Sequence, residues 1–187
     1  MPPVMDKSAK TDIGISIQES LSGYSLFTPK VTLVPKQFFK ESQARAALED
    51  VAALLPDDRV AFEPVPEYGA VMVYALPAGK PEGDAGKVLP ELWHVLSELS
   101  SCGDYNKILC SWREGWLNIA VARGCGLLLA NVFRAADFTT AQYYIYMVVK
   151  KLQLNPEQSS ICFRTPLDQE QEMSLYRYFK AVEFLSV

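Results

Sequence analysis

With 187 residues, 49% of them hydrophobic and 21% charged, the chain can bury roughly 70% of its unfolded surface, so it needs no disulfide or metal staple to fold. A net charge of −4, a pI near 5.1 and 18 scattered basic residues, clustered no further than Lys150-Lys151, argue against nucleic acid as a partner. No apolar run approaches the roughly 20 residues of a membrane span, and the opening MPPVMDKSAKTD lacks the apolar core of a signal peptide, so the expectation is a cytoplasmic protein without an integral membrane segment.

Residues 1–10 are polar. Ile13, Ile15 and Ile17 then alternate with Gly14, Ser16 and Gln18, a half-buried strand that Ser22-Gly23 turns into Tyr24–Phe27. Val31–Val34 reads as a strand ended by Pro35. Ser42 opens a helix whose Ala44, Ala47, Leu48, Val51 and Leu55 share a face, and Pro56-Asp57-Asp58 stops it. Val60–Phe62 and Ala70–Leu76 are two more strands, the second apolar enough throughout to be central. PAGKPEGDAGK, residues 77–87, has the composition of a connector.

Val88, Leu89, Leu92, Val95, Leu96 and Leu99 fall at helical spacing, with Gly103 as the cap. Three strands follow, Ile108–Trp112, Trp116–Ala122 and Leu127–Phe133, and Gly124 and Gly126 mark the second turn, where a positive φ is needed. Thr139 with Gln142 fits a capping box for a helix carrying Tyr143, Tyr146, Met147 and Lys150, and Asn155-Pro156 closes the unit. After a strand at Ser160–Phe163, a last helix is expected to line Leu175, Tyr178, Phe179 and Val182 on one face. Alternating strands and helices imply an α/β fold.

The two halves resemble each other. IGISIQESLSGYSLF and GWLNIAVARGCGLLLANVF are both strand, glycine turn, strand, and such duplication is similar to the actin-like ATPase or ribonuclease-H-like architecture, with mixed sheets flanked by helices. The likeness narrows over LLLANVFRAADFTTAQYYIYMVVKKLQLNPEQSSICF and EQEMSLYRYFKAVEF, carried by Asn131, Phe133, Tyr143-Tyr144, Leu152 and Leu154-Asn155-Pro156. VTLVPKQFF and AVMVYALP add to it in the first half. Over Ile13–Phe184 the sequence resembles an uncharacterised family of Bacteroides-group bacteria with an actin-like ATPase fold. The resemblance implies a first ribonuclease-H-like half at 11–76, trimmed because only Thr28-Pro29-Lys30 separates its hairpin from VTLVP, a connector at 77–87 and a second half at 88–187.

That family has no assigned activity, so the resemblance carries fold rather than chemistry. Asp12-Ile13-Gly14-Ile15-Ser16 is similar to the first phosphate motif of actin-like ATPases, in which an aspartate holds the metal and glycine amides approach phosphate. The matching place in the second half is Trp112-Arg113-Glu114-Gly115-Trp116, where only Glu114 and Gly115 fit and the tryptophans obstruct a phosphate nest. Asp12, Gly14, Ser16, Glu114 and Gly115 are therefore the residues of an alternative reading, ATP with magnesium in a degenerate cleft.

No other chemistry stands out. The one histidine, His94, is expected at a helix surface or edge with no nucleophile beside it. Asp57-Asp58 and Glu170/Glu172 read as solvated charges at helix ends. Cys102, Cys110, Cys125 and Cys162 form no CxxC pair and read as buried thiols, not as metal ligands. The favoured expectation is a non-enzymatic interaction or scaffolding module without cofactor, binding a protein partner or itself through Tyr176, Arg177 and Phe184 at the outer side of the last helix.

Overall fold

The computed structural model describes residues 16–20, 23–77 and 87–185. Asp12 and Gly14, the 21–22 turn and most of the expected connector lie outside them. In chain order come β1 (Ser16–Ser20), β2 (Gly23–Phe27), β3 (Val31–Pro35), α1 (Ala44–Glu49), β4 (Arg59–Val65), β5 (Ala70–Leu76) and β6 (Val88–Pro90). Then follow α2 (Glu91–Glu98), β7 (Asn106–Arg113), β8 (Trp116–Arg123), β9 (Gly126–Arg134), α3 (Phe138–Lys151), β10 (Ser160–Phe163), α4 (Gln169–Tyr176) and β11 (Ala181–Phe184). The strands make three sheets, ordered β1-β2-β6, β3-β5-β4 and β11-β10-β7-β8-β9.

Side-chain alternation explains how these sheets are covered. On the five-stranded sheet, Ile108, Cys110, Leu117, Ile119 and Val121 face α3, meeting Ala141, Ile145, Val148 and Val149. Leu109, Ala120 and Ala122 face the other way, onto Leu92, Val95 and Leu96 of α2. Burying Ile145 and Val148 contributes about 1.5–3 kcal/mol each. β5 is central, as expected, because both its faces are covered: Met72 and Tyr74 join the α2 core, while Val73 and Ala75 meet Ala44 and Leu48 of α1.

The three expected strands form a meander that is antiparallel throughout. Its first turn is Glu114-Gly115, at φ 50° and 76°, the two positive angles of a type I′ hairpin. In the second, Gly124 alone takes a positive φ, 58°. Gly126 is already paired with Arg123, and Leu128 bulges out where the register passes from Val121↔Leu129 to Ala122↔Leu127.

Several expectations are corrected. The helix expected from Ser42 to Leu55 is a 3-10 turn followed by the six residues of α1, and Val51 and Leu55 are 61% and 62% exposed. Two turns suffice to cover β5, and the chain then bends so that Asp58 reaches Lys30 at 2.6 Å and accepts the Leu55 amide at 2.8 Å. Asp58 is thus a buried ion-pair partner rather than a solvated charge.

Val88 and Leu89 leave the helix to pair in parallel with Tyr24 and Ser25 of β2, since Pro90 pushes the preceding Leu89 out of the α conformation and into an extended one. Cys102, not Gly103, closes the 3-10 turn after α2. Asp137 caps α3, accepting the Thr140 amide at 2.7 Å. Thr139 falls inside that helix, and Gln142 donates to Ser174 Oγ instead.

The last helix stops at Tyr176, and residues 181–184 form β11, parallel to β10. Strand pairing satisfies the open side of β10, and AVEF is too short for its period to be distinguished from a helix's last turn. Phe179 and Val182 are buried, but Tyr178 is 53% exposed. Of the tyrosine stripe, Tyr144 stacks on Phe133 at 4.5 Å and Tyr146 packs on Tyr178 and Phe179. Tyr143 faces outward.

Candidate functional site

The concentration of buried polar chemistry lies where α2 crosses the five-stranded sheet. Pairing Phe163↔Cys110 and Ser111↔Asn118 sets Arg164, Ser111 and Asn118 in a row on the α2-facing side, because each is one residue from a side chain of the α3 core. α2 answers with Glu91, His94 and Glu98, three residues of one helical face. Arg164 Nη1 donates to Glu91 Oε1 at 2.5 Å and Nε to Glu98 Oε2 at 2.6 Å, while the Ser25 hydroxyl of β2 donates to the second oxygen of Glu91. The side chains of Arg164 and Glu91 are 4% and 2% exposed, and Glu98 reaches solvent at 29%.

Burial presses the Arg164 guanidinium toward its neutral form, but Glu91 and then Glu98 outweigh it and hold its pKa above the ordinary value. His94 is buried, not at a surface. Desolvation first, then the Arg164 charge, lower its pKa below 6.5 against the opposing pull of Glu91 and Glu98, so the imidazole is neutral near pH 7. Ser111 Oγ and both polar atoms of the Asn118 amide have no partner among the described residues, and buried groups of this kind are ordinarily satisfied by ordered water. With Glu91 engaged on both oxygens and its cation fully matched, the cluster is a joint between β2, α2 and the end of β10. It was invisible in sequence because Arg164 lies 66 and 73 positions from its carboxylates.

The residues singled out by resemblance are placed elsewhere. Ser16 opens β1 opposite Phe27, at the far end of the hairpin from its turn, where Ser20 pairs with Gly23. Asp12 and Gly14 lie outside the described residues. Glu114 and Gly115 form the β7–β8 turn: the Ala135 amide donates to the Gly115 carbonyl at 2.8 Å, and Arg134 Nη1 lies 3.5 Å from both turn carbonyls. The Arg134 guanidinium sits 4.8 Å over the Trp116 ring, and Trp112 Nε1 donates to the Ala135 carbonyl at 2.9 Å. A shallow groove of about 330 Å³ opens beside this turn, between Trp112, Glu114, Thr165 and Gln171.

At the C-terminal side, Tyr176 ends α4 and is 44% exposed, its hydroxyl donating to the Val182 carbonyl at 3.2 Å. Arg177 follows as the exposed helix cap. Phe184, 43% exposed, is two residues beyond Val182 and so shares its face of β11, the outermost strand of the sheet. These three residues thus border one sheet edge.

Burial withdraws three of the four thiols from chemistry, while Cys125, also expected to be buried, lies at the surface because it sits in the β8–β9 turn. Cys102, Cys110 and Cys162 are buried and Cys125 is exposed. The Cys162 thiol is held well above its usual range by its hydrogen bond with Cys102 and by burial, and burial does the same to Cys110. Among the described residues no group of three His, Cys, Asp or Glu side chains could hold a metal ion, and no helix is long and apolar enough to cross a membrane.

Residues 87–182 match the family model described as "Protein of unknown function (DUF3822)". No curated protein matches the chain. A crystal structure from Bacteroides thetaiotaomicron, of a protein with an actin-like ATPase fold and unknown function, superposes with a TM-score of 0.71 at 19% identity over 84% of this chain. The chain spans 65% of the length of that protein. The fold is therefore the actin-like ATPase fold, in a shorter chain.

Proposed function

The chain belongs to the DUF3822 family, whose function is unknown, and has an actin-like fold; on that premise we propose that it is a non-enzymatic interaction or scaffolding module. The observation that carries this reading is the joint at α2. Residues 11–76 and 88–187, taken as two halves, are tied together by the Ser25–Glu91 hydrogen bond, with Arg164 and Glu98 fixing Glu91 from within the second half, and by β6 pairing with β2. The contact surface is the C-terminal sheet edge, with Tyr176, Arg177 and Phe184 as anchors, since half-exposed aromatic residues beside an arginine suit a partly wet interface.

Replacing Tyr176 by Ala together with Arg177 by Glu tests this surface by sedimentation velocity of the purified chain. Self-association that disappears while the melting temperature falls by only a few degrees supports it. Unchanged association places the contact elsewhere. The second reading is ATP with magnesium in a degenerate cleft using Asp12, Gly14, Ser16, Glu114 and Gly115, and what favours it is the groove beside Glu114.

A further inference from the structure

β3 and β9 are edge strands of two different sheets, and they border the same groove, about 290 Å³ in volume. Val31 and Leu33 line one wall, Ala130, Asn131 and Val132 the other, and Leu92 of α2 lies between. Ladder parity fixes which backbone groups face the opening. The Ala135 amide bonds to Gly115, so in the β8–β9 register Phe133 and Asn131 point to β8, and Ala130 and Val132 present N–H and C=O to the groove. The Val132 amide is capped only by the side chain of its neighbour Asn131, at 2.9 Å.

On the other wall, Lys30 accepts from Ala75 and Lys36 donates to Gly69. Thr32 and Val34 therefore bond to β5, and the N–H and C=O of Leu33 face the groove. Among the described residues, no backbone hydrogen bond uses the outward groups of Leu33 or Ala130. Unpaired strand edges of this kind are templates for a further strand.

We propose that this groove binds an extended, uncharged segment of another polypeptide by strand addition, joining β9 and β3; the inference rests on the reading of the chain as an interaction module. Charge decides the chemistry of the occupant. No ionisable side chain lines the groove, so a charged residue entering it loses hydration without gaining a partner. Geometry decides its form. A folded second copy offers an edge strand that carries its own sheet on one side, and a groove walled by strands on both sides has no room for that sheet. A lone strand can enter and pair with a bare edge about 4.8 Å away.

The probe is a blocked, fluorescently labelled octapeptide of alternating threonine and valine, titrated against the whole chain by anisotropy, with amide exchange followed in parallel. Saturable binding that slows exchange at Leu33, Ala130 and Val132, and that weakens at least tenfold in Ala130→Pro, supports the proposal. The substituted amide points away from β8, so proline there spares the β8–β9 ladder. Should the variant not fold, the exchange pattern of the native chain decides. No saturable binding, protection elsewhere, or native affinity in Ala130→Pro overturns the proposal. Exchange at these amides that rises without peptide when residues 1–15 are removed also overturns it, because the chain then fills its own groove. None of these outcomes touches the absence or presence of ATP binding, so the groove and the broader reading fail separately.

Discussion

Arg164→Met tests the α2 joint. The substitution keeps the length and apolar stem of the side chain and removes the charge paired with Glu91, whose side chain is 2% exposed. Losing one partner of a buried pair costs about 3–5 kcal/mol, chiefly from the stranded charge. Glu98 can turn into solvent, being 29% exposed, and Ser25 still donates to Glu91. The lower end of that range therefore applies, about 3 kcal/mol, or about 6–12 °C in melting temperature for a chain of this size. Urea unfolding with an unchanged m-value gives the number directly. Arg164→Met with Glu91→Met removes the stranded carboxylate as well and should recover most of the loss. A single variant within about 1 kcal/mol of the native chain, or a double variant worse than the single, refutes the account of the joint.

His94 gives the stability a pH dependence of known sign. The unfolded imidazole binds its proton near 6.5 and the native one below that, so stability is fully present above 6.5 and is lost as pH falls through the native value, by up to about 1.4 kcal/mol per pH unit. His94 is the one histidine, and denaturant unfolding of His94→Gln should show no slope in that window. Asp137→Ala should cost about 1 kcal/mol by removing the α3 cap, read as a lower melting temperature, with Asp137→Asn retaining most of the stability. Gly124→Ala should cost about 1 kcal/mol or more, since alanine is disfavoured at φ 58° and its Cβ would lie 3.1 Å from the Tyr105 ring; native stability in thermal unfolding would contradict the turn geometry.

What could be read in the sequence was what local period controls. A strand such as β5, buried on both faces, announces itself as a nearly unbroken apolar run, β8 by its alternation, and Asn155-Pro156 or Lys150-Lys151 mark ends through backbone chemistry alone. Short elements at junctions were not legible. Val88-Leu89 fits a helix as well as a strand until β2 supplies an edge, and Ala181–Phe184 has the same ambiguity beside β10. The joint at α2 was hidden for a different reason: nothing in Glu91, His94 or Glu98 reveals that an arginine dozens of positions away will arrive between them. Asp58 misled in the same way, since its burial depends on Lys30, 28 positions away. Resemblance supplied the fold, but its phosphate residues fall in a strand, a tight turn and residues outside those described.

The reading of the chain as a module without nucleotide chemistry is tested most directly by a thermal-shift titration of the purified chain with ATP and magnesium near neutral pH. A ligand that binds only the native state must raise the melting temperature, by an amount that grows with concentration over its dissociation constant. The expected result is no saturable shift at millimolar ATP. A saturable rise that vanishes in Asp12→Ala contradicts it and assigns the cleft to nucleotide.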